Sequence, residues 1–225
     1  MISDLLFLAK TDRGLALNRV DDIDLAAEID ALFEFYEALA ESRSITLKRI
    51  GTARMTGDRA MLRRALSNLL SNGLRHADPG SCIEVRAETR VTTPGKQTGA
   101  NTDGSIDTRS DATTHRCEQP SRAEDQGRRL RHAPHLTDRH EVHIEVINRG
   151  ETIPAEHLDR IFERFHRVGS ERDREGEGAG LGLAITRSII AAHGGEIKTH
   201  SRASVTRFCI DLPCQPPRPG NRETS

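Results

Sequence analysis

Glycines at alternate positions run directly into an apolar segment near residue 180, a pattern typical of a phosphate-binding loop. The stretch reads Gly176-Glu177-Gly178-Ala179-Gly180-Leu181-Gly182-Leu183. Glycine permits positive φ angles and lets the backbone approach a ligand closely. The first turn of a following helix adds unpaired N–H groups and partial positive charge. A flexible linker would have the same composition, so the glycines alone leave both interpretations open.

A second set of polar residues with chemical potential lies on one side of a predicted helix over residues 58–76. At about 100° per residue, Asn68, Asn72 and Arg75 fall within about 60° of one another. The other side of this helix is apolar and carries Leu62, Ala65, Leu66, Leu69, Leu70 and Leu74. Asparagine oxygens are hard ligands that suit Mg²⁺, and an arginine can contact phosphate. A solvated helix face is the alternative interpretation.

A third polar position, Asn148, follows a run that alternates between apolar and polar residues and precedes a turn at Gly150. An asparagine side chain both donates and accepts, so it can pair with the edge of a purine. Phe162 and Phe165 follow in a polar neighbourhood, where burial of their rings could anchor a loop. A capped turn and ordinary core packing would explain these residues equally well.

The elements that must position these residues follow from hydrophobic periodicity. Helices are predicted over residues 25–39, 58–76 and 181–192, with Asp58 as an N-cap. Strands with one apolar and one polar face are predicted around residues 45–50, 83–88, 142–146, 197 and 208–212. A largely antiparallel sheet covered by helices on one face, an α+β two-layer sandwich, accommodates all of these elements.

Composition limits the size of the core and the classes of partner. The net charge is −1, with 33 basic and 34 acidic residues, so no global basic field favours nucleic acid. Residues 92–140 are poor in apolar side chains and predict a disordered insertion. No apolar run is long enough to span a membrane. The four cysteines are predicted to be free thiols because none has CxxC spacing.

Taken together, these segments resemble the catalytic ATP-binding domain of bacterial two-component sensor histidine kinases, of the heavy-metal sensor type, within the superfamily shared with gyrase and Hsp90. Four separated motifs occur in the family's order. These are Asn68 to His76 as the N box, Asn148 to Pro154 as the G1 box, Ile161 to Phe165 as the F box, and Gly178 to Gly182 as the G2 box, with His193-Gly194-Gly195 closing. The resemblance covers nearly all of residues 1–213 except the insertion.

The resemblance implies ATP and Mg²⁺ as cofactors and a mobile lid over about Gly150 to Gly180. It places Asn72 on Mg²⁺, Asn68 and Arg75 near the phosphates, and Asn148 at the adenine. It also implies ATP-binding roles for the other motif residues, namely His76, Gly150, Ile153, Phe162, Phe165, Gly178, Gly180, Leu181, Gly182 and Leu183. The expected reaction is phosphoryl transfer to a histidine, and positioning with electrostatic stabilisation supplies most of its catalysis.

The same resemblance implies a domain organisation and a set of partners. Residues 1–18 are expected to be the remnant of a dimerisation helix and linker, residues 19–213 the kinase domain, and residues 214–225 a flexible Pro-rich tail. The expected partners are a histidine-bearing dimerisation domain and a response regulator. A cytoplasmic location is expected because full-length relatives are inner-membrane proteins that hold this domain in the cytoplasm.

Departures from the family pattern leave an alternative open. None of the ten histidines stands in the phosphoacceptor context. We therefore expect a chain truncated at its start that transfers phosphate only in trans. A non-catalytic nucleotide-binding regulator or inactive remnant is the alternative.

Two smaller departures lie in the G1 box, where Asn148 replaces the usual Asp and Thr152 replaces the second Gly. A solvated loop explains the histidines in the insertion better than a metal sensor does, because their spacing matches no known metal-ligand motif.

Overall fold

The computed structural model describes residues 20–92, 139–168 and 179–215, together with Asp4, Phe7 and Leu17. Several sequence predictions therefore lie outside the described residues. They are Gly178, most of the insertion predicted at 92–140, the remnant predicted at 1–18 apart from those three residues, and residues 216–225 of the predicted tail.

A five-stranded mixed sheet forms one layer of the fold. Its strands are β2 (Thr46–Gly51), β4 (Cys82–Thr92), β5 (Arg139–Arg149), β6 (Glu196–Arg202) and β7 (Val205–Pro213), in the order β2-β4-β5-β7-β6. The β2–β4 pair is parallel and the other pairs are antiparallel. The prediction of a mixed, mostly antiparallel sheet with helices against it is thereby confirmed.

Among the described residues, three helices form the second layer, and the first two begin at capping aspartates. They are α1 (Leu25–Ser42), α2 (Arg59–His76) and α3 (Gly182–Ala192). The carboxylate of Asp24 accepts from the N–H of Ala26, and that of Asp58 accepts from the N–H of Met61. These bonds satisfy N–H groups that the first helical turn leaves unpaired. Asp58 is thus the predicted N-cap, although α1 continues further than the predicted end at residue 39.

The core lies between the two layers and is built from one face of each element. Along β4, Ile83, Val85 and Ala87 are buried, and they alternate with charged residues. The strands β5 and β7 repeat this pattern, as the period of two in a half-buried sheet requires. The apolar side of α2 is at most 1% exposed at Leu62, Ala65, Leu66, Leu69, Leu70 and Leu74. The remaining polar side of α2 is therefore free to border a site.

A small second sheet, which the sequence did not predict, closes one end of the core. The strands β1 (Asp21–Asp24) and β3 (Arg54–Gly57) pair in antiparallel register, with Ile23 opposite Met55. Both of these side chains are buried. Within the part of the chain that the structure describes, no helix combines the length and apolar character needed to cross a bilayer.

Candidate functional site

A cavity of about 350 Å³ opens between the polar side of α2, the ends of β5 and β7, and the start of α3. Its volume falls within the range of small-molecule sites. Residues from separate predicted motifs line it together: Asn68, Asn72, Arg75, His76, Asn148, Ile153, Gly180, Leu181, Gly182 and Leu183. Sequence segments more than a hundred residues apart thus converge on one space.

A hydrogen bond joins the asparagine side of α2 to the glycine loop. The Asn68 side chain donates through Nδ2 to the carbonyl of Gly182 at 3.0 Å. A Cβ on Gly182 would lie 3.6 Å from Cγ of Asn68, which is ordinary van der Waals distance. This bond uses the Nδ2 donor of Asn68 and leaves its Oδ1 oxygen as an acceptor for a ligand.

Asn72 lies one turn further along α2 and also lines the cavity. Its side chain makes no hydrogen bond with the residues that the structure describes. A cavity-wall amide that none of the described residues engages is available to bind a ligand or an ion. The sequence prediction that the polar side of α2 borders a site, and is more than a solvated face, agrees with this placement.

Asn148 occupies the deep end of the cavity, where β5 ends. The residue is only 4% exposed, yet the described residues make no hydrogen bond to its side chain. It lies opposite Thr206 of β7, and Phe208 lies further along the same face. The phenyl ring of Phe208 packs edge-on against Phe162, with ring centroids 6.4 Å apart. This end of the cavity therefore combines an apolar wall with an amide that the described residues leave unpaired.

The turn after Asn148 is held in place by the hairpin between β6 and β7. The N–H of Ile153 donates to Oγ of Ser201 at 2.9 Å, and Oγ1 of Thr152 accepts from the N–H of Ser204 at 3.0 Å. Thr152, which stands at a glycine position of the family pattern, therefore supplies a bond that glycine could not. Ile153 consequently presents its side chain to the cavity.

Gly150 lies behind the cavity wall and does not line it. A Cβ at this position would come within 2.0 Å of the carbonyl oxygen of His76, at the end of α2. The N–H of Gly150 donates to the carbonyl of Ser204 at 2.9 Å. The absence of a side chain therefore lets the end of β5 pass close beneath α2, and Gly150 acts on the site through the backbone.

The two predicted phenylalanine anchors differ in the structure. Phe162 is 8% exposed and its ring packs against Phe208. Neither Phe162 nor Phe165 lines the cavity. Phe165 is 61% exposed, and the expected burial of its ring is therefore wrong. Its φ of 63° belongs to a turn in which its N–H donates to the carbonyl of Gly180 at 3.0 Å. The backbone of Phe165, and not its ring, is what fixes the loop.

Gly180 needs glycine for two reasons. Its φ is +68°, and a Cβ would lie 3.0 Å from backbone atoms of Phe165. Together with the hydrogen bond to Phe165, this contact joins the two ends of the loop whose intervening residues 169–178 lie outside the described part. The remainder of the predicted lid, including Gly178, is therefore not located.

The charged groups at the cavity favour an anionic ligand. Arg75 and Arg167 line it together with two carboxylates, Glu151 and Asp4, and Asp4 is paired with Arg64 at 2.5 Å. Burial, and then the charge of Arg75, lower the pKa of His76. Burial, and then the charge of Arg160, lower the pKa of His166, another lining residue. Both imidazoles are thus ready to gain a proton when a negative ligand arrives.

Several lining residues were not among the site residues predicted from the sequence, notably Thr206, Phe208, His166 and Glu151. Thr206 and Phe208 lie on the inner face of β7, and the alternation along that strand does indicate that they share a face with Ile210. Their position at the site depends on the pairing of β7 with β5, which brings Thr206 opposite Asn148. Pairing of this kind cannot be derived from one strand's pattern.

Comparison with known proteins agrees with this site. Residues 112–216 match the family described as "Histidine kinase-, DNA gyrase B-, and HSP90-like ATPase". The chain is 38% identical over 214 residues to the sensor histidine kinase CusS of Escherichia coli O157:H7, a match covering 95% of this chain and 34% of CusS. It is 32% identical over 213 residues to the probable sensor protein PcoS of Escherichia coli, covering 94% and 35%.

Among solved structures, the fold is similar to that of the Acinetobacter baumannii histidine kinase AdeS. The TM-score is 0.61 at 17% identity, over 95% of this chain and 76% of AdeS. The chain spans about a third of the length of the curated relatives it matches. With its fold, its four motifs around one cavity and these similarities, the chain belongs to the histidine kinase-, DNA gyrase B- and HSP90-like ATPase family, on the branch of the sensor histidine kinases.

Proposed function

We propose that the cavity binds ATP with Mg²⁺ and that the chain transfers the γ-phosphoryl group to a histidine on a separate dimerisation hairpin. The observation that carries this proposal is the hydrogen bond from Asn68 to Gly182, at 3.0 Å. It joins the helix that carries the asparagines to the start of α3, beside a cavity with cationic groups. A response regulator is the proposed final acceptor of the phosphate.

The orientation of the nucleotide follows from the two ends of the cavity. The adenine lies against Phe208 and pairs with the Asn148 amide, which otherwise lacks a partner among the described residues. The triphosphate lies toward α3, whose N-cap residue Leu181 makes no side-chain capping bond. The free N–H groups of this first turn, together with the helix dipole, favour phosphate oxygens.

The residues at the phosphate end fit a bound Mg²⁺. The amide oxygen of Asn72 is a hard ligand, and Mg²⁺ in nucleotide sites takes few protein ligands beside phosphate oxygens and water. Asn72 is the proposed ligand because its side chain makes no hydrogen bond with the described residues. When bound, the ion would neutralise charge on the phosphate oxygens.

The chain's own groups then contribute by positioning and by charge. Arg75 and a protonated His76 stabilise negative charge on the phosphates. In the transfer step the bond between the γ-phosphorus and the bridging oxygen breaks. A bond from the phosphorus to a nitrogen of the incoming histidine forms, and ADP leaves. The site must exclude water, which would otherwise compete as the acceptor.

A second candidate function is that of a regulator that binds ATP without transferring phosphate. One observation favours it, namely that none of the ten histidines of this chain stands in the context of a phosphoacceptor. Nucleotide binding is common to both candidates, so only transfer separates them.

The deciding experiment incubates the chain with Mg²⁺ and γ-labelled ATP, alone and with a purified dimerisation hairpin from a sensor kinase of this type. The matched control is the same hairpin with its histidine replaced by glutamine. We expect acid-labile label on the native hairpin only. Tight ATP binding without label on any hairpin would establish the regulator instead, and label on the isolated chain would contradict transfer in trans.

A further inference from the structure

A cluster of potential metal ligands lies on the face of the sheet opposite the helices. His143 and Glu145 alternate along β5 with buried apolar residues, and Cys209 and Asp211 do the same along β7. The register pairs Glu145 directly with Cys209 and His143 directly with Asp211. Side chains opposite each other in an antiparallel pair point to the same face, so these four groups converge.

The distances within this cluster are close to those of a coordination sphere. Nε2 of His143 lies 3.5 Å from Oε1 of Glu145, and Sγ of Cys209 lies 3.8 Å from the same oxygen. The three ligand atoms all lie within 4.8 Å of one another. Tetrahedral zinc with bonds of about 2.0 Å to N and O and about 2.3 Å to S needs separations of roughly 3.3–3.6 Å. Two of the three ligand pairs, His143–Glu145 and Cys209–Glu145, already lie within a few tenths of an ångström of these separations.

Asp211 orients the histidine in the manner that metal sites require. Nδ1 of His143 lies 2.6 Å from Oδ1 of Asp211, so Nδ1–H donates to the carboxylate. In the tautomer that carries its single proton on Nδ1, the lone pair of Nε2 faces Glu145, which is also an acceptor. The His143 side chain is only 8% exposed, which leaves little access to water. A cation between the two acceptors satisfies both of them.

Three cationic side chains face the cluster and must be weighed against it. Arg207 and Arg86 approach Glu145 at 3.4 Å and 3.9 Å, and Lys198 lies opposite Cys209 in the register. Arg86 also pairs with Glu84, and Lys198 pairs with Glu196. The Arg207 side chain is 43% exposed and can turn toward solvent when a metal takes its place on Glu145.

We propose that His143, Glu145 and Cys209 bind a divalent transition metal ion of the zinc class, with Asp211 as the positioning residue for His143. Imidazole, carboxylate and thiolate ligands suit this class and not Mg²⁺ or Ca²⁺, which take oxygen ligands. A thiolate and a carboxylate together balance the charge of a divalent ion, and the thiol proton is released to solvent on binding. The fourth position is left for water. This site is separate from the nucleotide cavity, which lies on the helix side of the sheet.

Cobalt(II) is the probe of choice because a thiolate bound to it gives a charge-transfer absorption band. The full chain, reduced and freed of metal, is titrated with Co²⁺ and then with Zn²⁺. We expect one equivalent of Co²⁺ to produce the band and Zn²⁺ to abolish it. Cys209→Ser should remove the band, whereas the matched controls Cys214→Ser and Cys117→Ser should retain it. Asp211→Asn should weaken the affinity about 10- to 100-fold while keeping the band.

Circular dichroism establishes that each variant is folded before the titration. If Cys209→Ser does not fold, Glu145→Gln and His143→Gln replace it, and each should weaken Co²⁺ binding at least tenfold. The absence of a thiolate band in the folded parent chain overturns the proposal. So does a band that persists in Cys209→Ser, or one that disappears in Cys117→Ser.

Discussion

The imidazole of His193 joins the end of α3 to the beginning of α2. Its Nε2 accepts a hydrogen bond from the backbone N–H of Asp58 at 3.0 Å, and its Nδ1–H donates to the carbonyl of Ile189 at 2.8 Å. The ring is fully buried. These partners require the neutral tautomer with the proton on Nδ1. A residue of the closing His-Gly-Gly motif thus fixes the two helices that border the nucleotide cavity.

Replacement of this ring should destabilise the whole domain. His193→Ala leaves the buried N–H of Asp58 without its acceptor and opens a cavity, whereas the carbonyl of Ile189 still accepts from the backbone N–H of residue 193. We expect the free energy of unfolding to fall by about 2–4 kcal/mol. Urea denaturation followed by circular dichroism measures the change. His200→Ala, at an exposed position in β6, is the matched control and should change stability little. Equal stability of both variants would contradict the role assigned to His193.

Gly180 should be needed for ATP binding because it leaves room for the backbone of Phe165, and not only because of its positive φ. Gly180 and Gly80 both have positive φ, but an added Cβ meets Phe165 at 3.0 Å in the first case and nothing within 4 Å in the second. The positive φ alone should cost about 1 kcal/mol of stability for alanine at either position. Only Gly180→Ala should also weaken ATP binding, by at least tenfold in a fluorescent-nucleotide titration. A similar loss of affinity in Gly80→Ala would refute the explanation.

The affinity for ATP should depend on the protonation of His76. Burial and the charge of Arg75 lower the pKa of His76 in the free protein, and a bound triphosphate raises it. Binding therefore takes up a proton. The affinity contributed by His76 rises as the pH falls through the pKa of the complex, and it levels off below the pKa of the free protein.

This pH dependence is measured as the ATP dissociation constant between pH 5 and pH 8, at fixed Mg²⁺, for the parent chain and for His76→Gln. Protonation of ATP itself affects both proteins equally, so the ratio of the two dissociation constants isolates the histidine. The advantage of the parent chain should grow toward low pH. A ratio that does not change with pH would rule out proton uptake by His76.

Much of this architecture is predictable from the sequence because several elements have strong local signals. The apolar side of α2 is continuous, Asp58 caps it, and Asn68 and Asn72 fall on its other side at helical spacing. The strands β1 and β3 were missed because each has only four residues, and the segment Asp21-Asp22-Ile23-Asp24 offers a single apolar side chain. Short pairs of this kind are stabilised by tertiary contacts and not by their own pattern.

The parts that the sequence could not predict depend on register or on backbone geometry. Thr206 reaches the cavity only because β7 pairs with β5 so that it lies opposite Asn148. The same pairing assembles Glu145 with Cys209, which no spacing along the chain indicates. Phe165 was expected to be buried, but its positive φ and its bond to Gly180 leave the ring in solvent.

Calorimetric titration with ATP tests directly whether Asn72 holds Mg²⁺ on ATP in this cavity. The parent chain and Asn72→Ala are each titrated in excess Mg²⁺ and again in excess EDTA. We expect one site per chain, with an affinity that Asn72→Ala lowers at least tenfold in Mg²⁺ and leaves nearly unchanged in EDTA. No saturable binding by the folded parent chain, or the same affinity for both proteins in Mg²⁺, would contradict this role of Asn72.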